Sequence, residues 1–150
     1  MKYVDEFRDG ELARELESAN RQLETIAHVD GLTGIPNRRR LDDYLKSVWE
    51  NSSDRSRPIS VLIVDVDHFK AFNDKHGHLA GDQLLRALAT RLTRCLRRTE
   101  DLVARYGGEE FLAVLPGAEL DVARDVAETM RARVEESTLG ATISIGVATV

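Results

Sequence analysis

The 150-residue chain has a single cysteine, Cys95, which excludes an intrachain disulfide framework and a zinc site built on several cysteines. No apolar run approaches the length of a membrane span, and the polar, acidic opening (MKYVDEFRDG) is no secretory signal. Positive charge is also scarce: 21 Lys and Arg stand against 26 Asp and Glu, a formal net charge of −5. Proteins that bind a nucleic-acid backbone carry a basic excess or a basic face, so no nucleic-acid polymer is expected as a partner. Internal repeats and low-complexity segments are absent too. What remains is ordinary for a globular domain: 42% hydrophobic and 31% charged residues, at a length suited to one domain. The expectation is a soluble, cytoplasmic chain with no membrane contact of its own.

Leu12, Leu16, Ala19, Leu23 and Ile26 alternate by four and three, the a/d seam of a coiled coil, though over little more than two heptads. The plainer alternative is an amphipathic helix lying on its own domain; residues 1–29 are read as a helical stalk. Gly31, Gly34 and Pro36 interrupt it, and helical spacing resumes over residues 38–49 through Leu41, Tyr44, Leu45 and Val48. Residues 51–58 form a polar loop, and residues 59–66 (ISVLIVDV) a β-rich apolar run that reads as a central strand. After a polar stretch, residues 79–96 place Leu84, Leu85, Leu88, Leu92 and Leu96 at helical spacing. Two short strands at 102–106 and 111–115 flank Gly107-Gly108-Glu109-Glu110, a helix follows at 122–134, and an alternating strand at 141–150.

From residue 59 the order is β-α-β-β-α-β. The fold class expected is α+β, a split βαββαβ sheet of the ferredoxin-like, polymerase- and cyclase-palm type, flanked by helices. Right-handed crossovers make the first and second strands parallel, with the third antiparallel between them. The end of the first strand and the hairpin turn then share one edge, so Asp65, Asp67, Glu109 and Glu110 are expected to converge there. Unpaired carboxylates that repel one another call for a cation, and hard oxygen donors suit Mg²⁺, or Mn²⁺, held together with substrate phosphates. The alternative is a solvated strand end beside a charged turn. Gly107 and Gly108 would let the turn take positive φ and let a nucleotide approach the backbone. Lys70 offers a point charge for phosphate, and Asn73 and Asp82 can hydrogen-bond a purine edge.

These residues carry a family resemblance. Gly107-Gly108-Glu109-Glu110-Phe111, preceded by Arg105-Tyr106, resembles the GGDEF motif in its GGEEF form. Residues 30–39 (DGLTGIPNRR) resemble the family's D-x-L-T-G-L-x-N-R-R opening. Residues 65–70 (DVDHFK), Asn73-Asp74, Gly77-His78 and Gly81-Asp82 match the run between, and Ser144-Ile145-Gly146-Val147 a late strand. The resemblance covers residues 30–150 and implies a diguanylate cyclase, which joins two GTP into cyclic di-GMP and releases two pyrophosphates.

Carried over residue by residue, the resemblance implies that Asp65, the Val66 backbone carbonyl and Glu109 hold Mg²⁺ against the triphosphate. Lys70 would touch the phosphates, Asn73 and Asp82 would read guanine with His78 nearby, and Leu32 and Leu85 would form apolar walls. Gly107 and Gly108 would give the nucleotide room. Glu109 would accept the 3′-hydroxyl proton, and Glu110 would support the site. One domain holds one GTP, so two must face each other across a two-fold axis, and a parallel stalk raises their effective concentration. The homodimer would form through the stalk or the catalytic face. A typical member continues past residue 147 into a further helix with basic residues. The domain at 30–150 is therefore expected to be C-terminally incomplete and the chain part of a longer protein with an upstream sensor region.

Arg98-Thr99-Glu100-Asp101 resembles the family's R-x-x-D inhibitory product site, in which Arg98 and Asp101 would bind cyclic di-GMP. The alternative is a helix end whose arginines favour the dipole. The second arginine of such a site is open among Arg124, Arg131 and Arg133. His68, His76 and His78 have loop spacing and no cysteine partners, which disfavours zinc. Cys95, Tyr44 and Trp49 read as packing residues, Arg38-Arg39-Arg40 as a solvated face, and an Asp30–Arg38 salt bridge is a structural expectation. Two other functions remain: a GGDEF-like module that binds GTP or cyclic di-GMP without turnover, and a different purine cyclase on the same fold, which Asn73 and Asp82 disfavour.

Overall fold

The strand that organises the chain is the one rich in β-branched residues. In the computed structural model, which describes residues 2–51 and 56–150 (side chains from residue 6), ISVLIVDV forms β1 (Ile59–Val66). It follows α1 (Lys2–His28) and α2 (Arg38–Glu50), and it precedes α3 (Phe69–His76) and α4 (His78–Cys95). Then come β2 (Leu102–Arg105), β3 (Glu110–Pro116), α5 (Leu120–Glu135) and β4 (Ile143–Thr149). The expected loop at 51–58 falls largely on residues 52–55, outside the described residues.

The sheet order is β2-β3-β1-β4, and every neighbouring pair is antiparallel. β1 and β2 therefore run parallel with β3 between them, as the split βαββαβ plan requires. Alternation along β1 sends Leu62, Val64 and Val66 into the main core, with Leu84, Leu85, Leu88 and Leu92 of α4 and Val126, Met130 and Val134 of α5. A smaller cluster (Leu41, Ile59, Ala104, Val114) lies under α2 with Tyr44, Leu45 and Val48. Ile63 and Asp65 point to the face opposite the main core and are exposed.

The polar stretch after β1 is not a loop but the helix α3. None of its residues is buried; Phe69 and Phe72 only lean on the core. Gly77, at φ +91°, turns the chain directly from α3 into α4. Of the two expected packing aromatics on α2, Tyr44 packs and donates its hydroxyl to the Glu100 carbonyl. Trp49 is 63% exposed instead. Cys95 is buried, as a small core residue.

α1 does not lie on its own domain. Leu12, Leu16, Leu23 and Ile26 are between 61 and 76% exposed. The helix is tied down at its C-terminal end: Asn37 donates from Nδ2 to the Ala27 carbonyl (3.0 Å) and from its backbone N–H to the His28 carbonyl (3.0 Å). His28 Nε2 meets Asp43 at 3.2 Å. A helix of 27 residues extends about 40 Å. Among the described residues, no helix is long and apolar enough to cross a membrane.

Candidate functional site

The end of β1 and the β2–β3 turn meet through the sheet register. Asp65 stands opposite Glu110, and Val66 donates its N–H to the Glu109 carbonyl at 3.3 Å. That places Asp65, the Val66 carbonyl and Glu109 within one or two residues of each other across the ladder. The side chains of Asp65 and Glu109 have no hydrogen-bond or ion-pair partner among the described residues. Their donor set, two free carboxylates and a carbonyl, is hard oxygen throughout and fits a divalent cation that keeps waters and substrate phosphates.

The fourfold acidic convergence expected at this edge does not form. Asp67 is taken up by the neighbouring strand segment instead: its carboxylate accepts from Thr142 Oγ1 (2.7 Å) and Ser144 Oγ (2.6 Å), and its N–H donates to the Thr142 carbonyl (2.9 Å). The bonds from Ser144 and Thr142 hold its pKa below the ordinary value. These contacts fasten the end of β1 to the start of β4, and Asp67 also lines a cavity of about 430 Å³ with Phe72, Lys75 and Glu135, away from Asp65 and Glu109. Among the described residues, no group of three or more His, Cys, Asp or Glu side chains is gathered for a metal ion. A cation here would therefore have an open coordination shell.

The turn itself corrects a second expectation. Neither Gly107 nor Gly108 has a positive φ. The space is real at Gly108, where an added Cβ would meet nothing within 4 Å; at Gly107 it would lie 3.3 Å from Glu110 Oε2. Arg105 holds the turn from beneath. Its Nε donates to the Gly107 carbonyl (3.1 Å), its Nη2 to the Gly108 carbonyl (2.9 Å), and its Nη1 to both oxygens of Asp30 at 3.3 Å. The partner of Asp30 is thus Arg105 and not Arg38, whose guanidinium lies 4.3 Å from the centroid of the Tyr106 ring. Asp30 also accepts from Thr33 N–H (2.9 Å) and Oγ1 (2.6 Å). Arg105 in this way bridges the segment just after α1 to the Gly-Gly turn.

Burial would raise the Asp30 pKa, but the two Thr33 bonds and the Arg105 charge outweigh it and hold the carboxyl below its ordinary value. With the folded pKa below the unfolded one, this stabilisation is complete above the ordinary carboxylate range and is lost as pH falls through the folded value. Asp30→Asn is therefore expected to lower stability at neutral pH and to flatten the loss of stability below about pH 4. Denaturant titrations of both proteins from pH 7 to pH 3 check this; parallel pH profiles would contradict it.

Lys70 is exposed in the first turn of α3, close behind β1. Asn73 lies one turn further, against α4, with Oδ1 buried and unpartnered. Asp82 is half-buried and His78 exposed, both in the first turns of α4. Leu32 is partly buried against the main core, while Leu85 is only 2% exposed and belongs to it.

At the far end of α4, Asp101 Oδ2 accepts from the backbone N–H groups of Arg97 (3.4 Å) and Arg98 (3.1 Å); Oδ1 is buried without a partner. Arg98 is exposed, and its side chain has no partner among the described residues. Of the three candidate second arginines, Arg131 is held by Glu128 and Glu135, and Arg133 Nη1 lies 3.9 Å from Cys95 Sγ, at the end of α4 that leads to Arg98.

A split antiparallel sheet with a Gly-Gly-acid turn beside an acidic strand end is a palm-type α+β domain. Within that class the chain belongs to the GGDEF family: residues 27–150 match the family described as "Diguanylate cyclase, GGDEF domain". It is 42% identical over 131 residues to diguanylate cyclase DgcM of Escherichia coli K12, which aligns with 85% of this chain and 32% of that protein. Identity is 39% over 137 residues with the uncharacterised YhcK of Bacillus subtilis, covering 85% of this chain and 38% of that one. The chain thus spans about a third of the length of these relatives. A crystal structure of the coiled coil and GGDEF domain of DgcB from Caulobacter crescentus, in complex with c-di-GMP, superposes with a TM-score of 0.88. It is 30% identical and covers 100% of this chain and 84% of that chain.

Proposed function

We propose that this chain is the catalytic part of a diguanylate cyclase, with residues 1–29 as its stalk and residues 30–150 as its GGDEF domain. The observation that carries the reading is the pairing of Val66 with Glu109 and of Asp65 with Glu110, which brings the Gly-Gly-Glu-Glu turn against the acidic strand end.

In this scheme Asp65, the Val66 carbonyl and Glu109 hold Mg²⁺, with Mn²⁺ a substitute. When bound, the cation offsets charge on the triphosphate. Lys70 adds a positive charge toward the phosphates. Asn73 and Asp82 bind the guanine edge beside His78, with Leu32 lining the pocket and Leu85 backing it from the core. Gly108, and Gly107 beside it, leave room along the backbone. The 3′-oxygen of one GTP attacks the α-phosphorus of the other, the bond to the β-phosphate oxygen breaks, and pyrophosphate leaves. Glu109 accepts the 3′-hydroxyl proton, and Glu110 supports it. A second step of the same kind closes the ring. Catalysis is chiefly positioning and charge stabilisation.

Each GTP must meet one held by another domain, so the working unit is a two-fold homodimer. The exposed seam Leu12, Leu16, Leu23 and Ile26 supports a stalk-to-stalk contact that raises the local concentration of the domains.

Incubating the chain with GTP and Mg²⁺ and separating the nucleotides tests the reading: cyclic di-GMP and pyrophosphate are expected in a one-to-two ratio. Tight nucleotide binding with no cyclic product would overturn it in favour of a binding module. Arg98 and Asp101 are proposed to bind the product and inhibit. Arg98→Ala is then expected to relieve inhibition by added cyclic di-GMP while leaving the KM for GTP unchanged; an unaltered inhibition curve discards the site.

A further inference from the structure

Two unfavourable features of this fold meet at one contact. Gly81 is buried inside α4. Its φ is not positive, so the backbone there does not require glycine, and alanine is the better helix former. The neighbouring oddity is Asn73 Oδ1, a buried acceptor without a partner, which a fold does not keep without reason. The two coincide: a Cβ on Gly81 would lie 1.8 Å from Asn73 Oδ1 and 2.9 Å from its Cγ. Asn73 Nδ2 has no partner among the described residues and is not among the buried unpartnered atoms.

We infer that Gly81 is a positioning residue for base recognition. The missing side chain is the slot into which the Asn73 carboxamide seats, oxygen inward, so that Nδ2 is presented outward as a donor in a single orientation. Asp82, the next residue of α4, presents a carboxylate acceptor beside it. A fixed donor next to a fixed acceptor matches guanine, which offers ring acceptors together with the N1–H and 2-amino donors; adenine offers Asp82 neither of those two donors. The inference rests on the proposed reading of guanine by Asn73.

The test uses the 150-residue chain, with GDP and ADP as probes in Mg²⁺, binding by calorimetry and thermal unfolding, on Gly81→Ala, Asn73→Ala and the double variant. Gly81→Ala is expected to unfold at the same temperature or higher, because only the end of a flexible side chain must move. Its GDP affinity should fall roughly tenfold, the scale of one lost hydrogen bond to the ligand, with a smaller preference for GDP over ADP. In the Asn73→Ala background, Gly81→Ala should change GDP binding no further. If Gly81→Ala itself unfolds, the double variant should restore folding, since the clash is gone; failure to do so overturns the inference. Unchanged GDP affinity in Gly81→Ala, with a loss in Asn73→Ala, removes the role of Gly81 alone. No loss in Asn73→Ala removes the guanine reading and this inference together. Losses that add in the double variant also refute the shared contact.

Discussion

Glu109→Gln is expected to abolish cyclic di-GMP formation while leaving the fold in place. Glu109 is half-buried at the turn, and among the described residues no other side chain depends on it for a hydrogen bond, so removing its charge orphans none of them. Its backbone carbonyl, which accepts from Val66, is untouched by the substitution. What is lost is the proton acceptor and one carboxylate of the proposed cation site. General-base loss alone slows turnover by about 10²- to 10⁴-fold, and the weakened cation site adds to that. Initial rates with GTP and Mg²⁺, beside far-ultraviolet circular dichroism and thermal unfolding, check both halves. Glu109→Asp provides the control: it keeps a carboxylate and converts the turn to the GGDEF spelling, and is expected to retain turnover. Full activity in Glu109→Gln would remove the residue from catalysis, and loss in both variants would mark Glu109 as a geometric requirement only.

The parts of this fold with strong periodicity were legible in the amino-acid order. The expected strand at 59–66 coincides with β1, and the hairpin, the long helix and the split topology follow from it. α3 was hidden because its eight residues include none that are fully buried; it has no side-chain cap, and helical patterning needs an apolar face to be seen. Trp49 was misread for the opposite reason: it sits at helical spacing, but the packed stripe of α2 runs through Leu41, Tyr44, Leu45 and Val48 and leaves Trp49 63% exposed. At the site, sequence proximity misled. Asp30 is near Arg38 along the chain, yet its partner is Arg105, which β2 delivers from 75 residues away. Asp65 and Asp67 share a strand end, but β1 stops at Val66, and the Asp67 carboxylate is engaged by the neighbouring strand. Thr142 and Ser144 of the β4 segment capture it, and no local spacing signals that pairing. The role of Gly81 was likewise invisible, because it depends on which side chain of another helix lies opposite.

Phe111→Ala is expected to produce the largest loss of stability. Phe111 ends the signature turn and is 0% exposed; its strand position pairs with Val64 of β1 on one side and Arg105 of β2 on the other. The ring belongs to the main core, together with Val64, Leu85 and Leu88. Truncating a buried phenylalanine costs about 3–5 kcal/mol, the lost transfer energy plus the cavity. A domain of this kind holds only about 5–15 kcal/mol in total. The denaturant midpoint should therefore fall steeply at constant m-value, because the surface exposed on unfolding hardly changes. Phe111→Leu, which leaves most of the volume filled, should cost less than half as much. Activity distinguishes two routes to the same defect. If Phe111 only supports the core, the folded fraction of Phe111→Ala at low temperature should retain its kcat. If it also aims the preceding carboxylates, kcat should fall in the protein that remains folded, and Phe111→Leu should fall with it. A Phe111→Ala variant less than 1 kcal/mol weaker than the parent would place the ring outside the core, because a buried truncation does not cost so little.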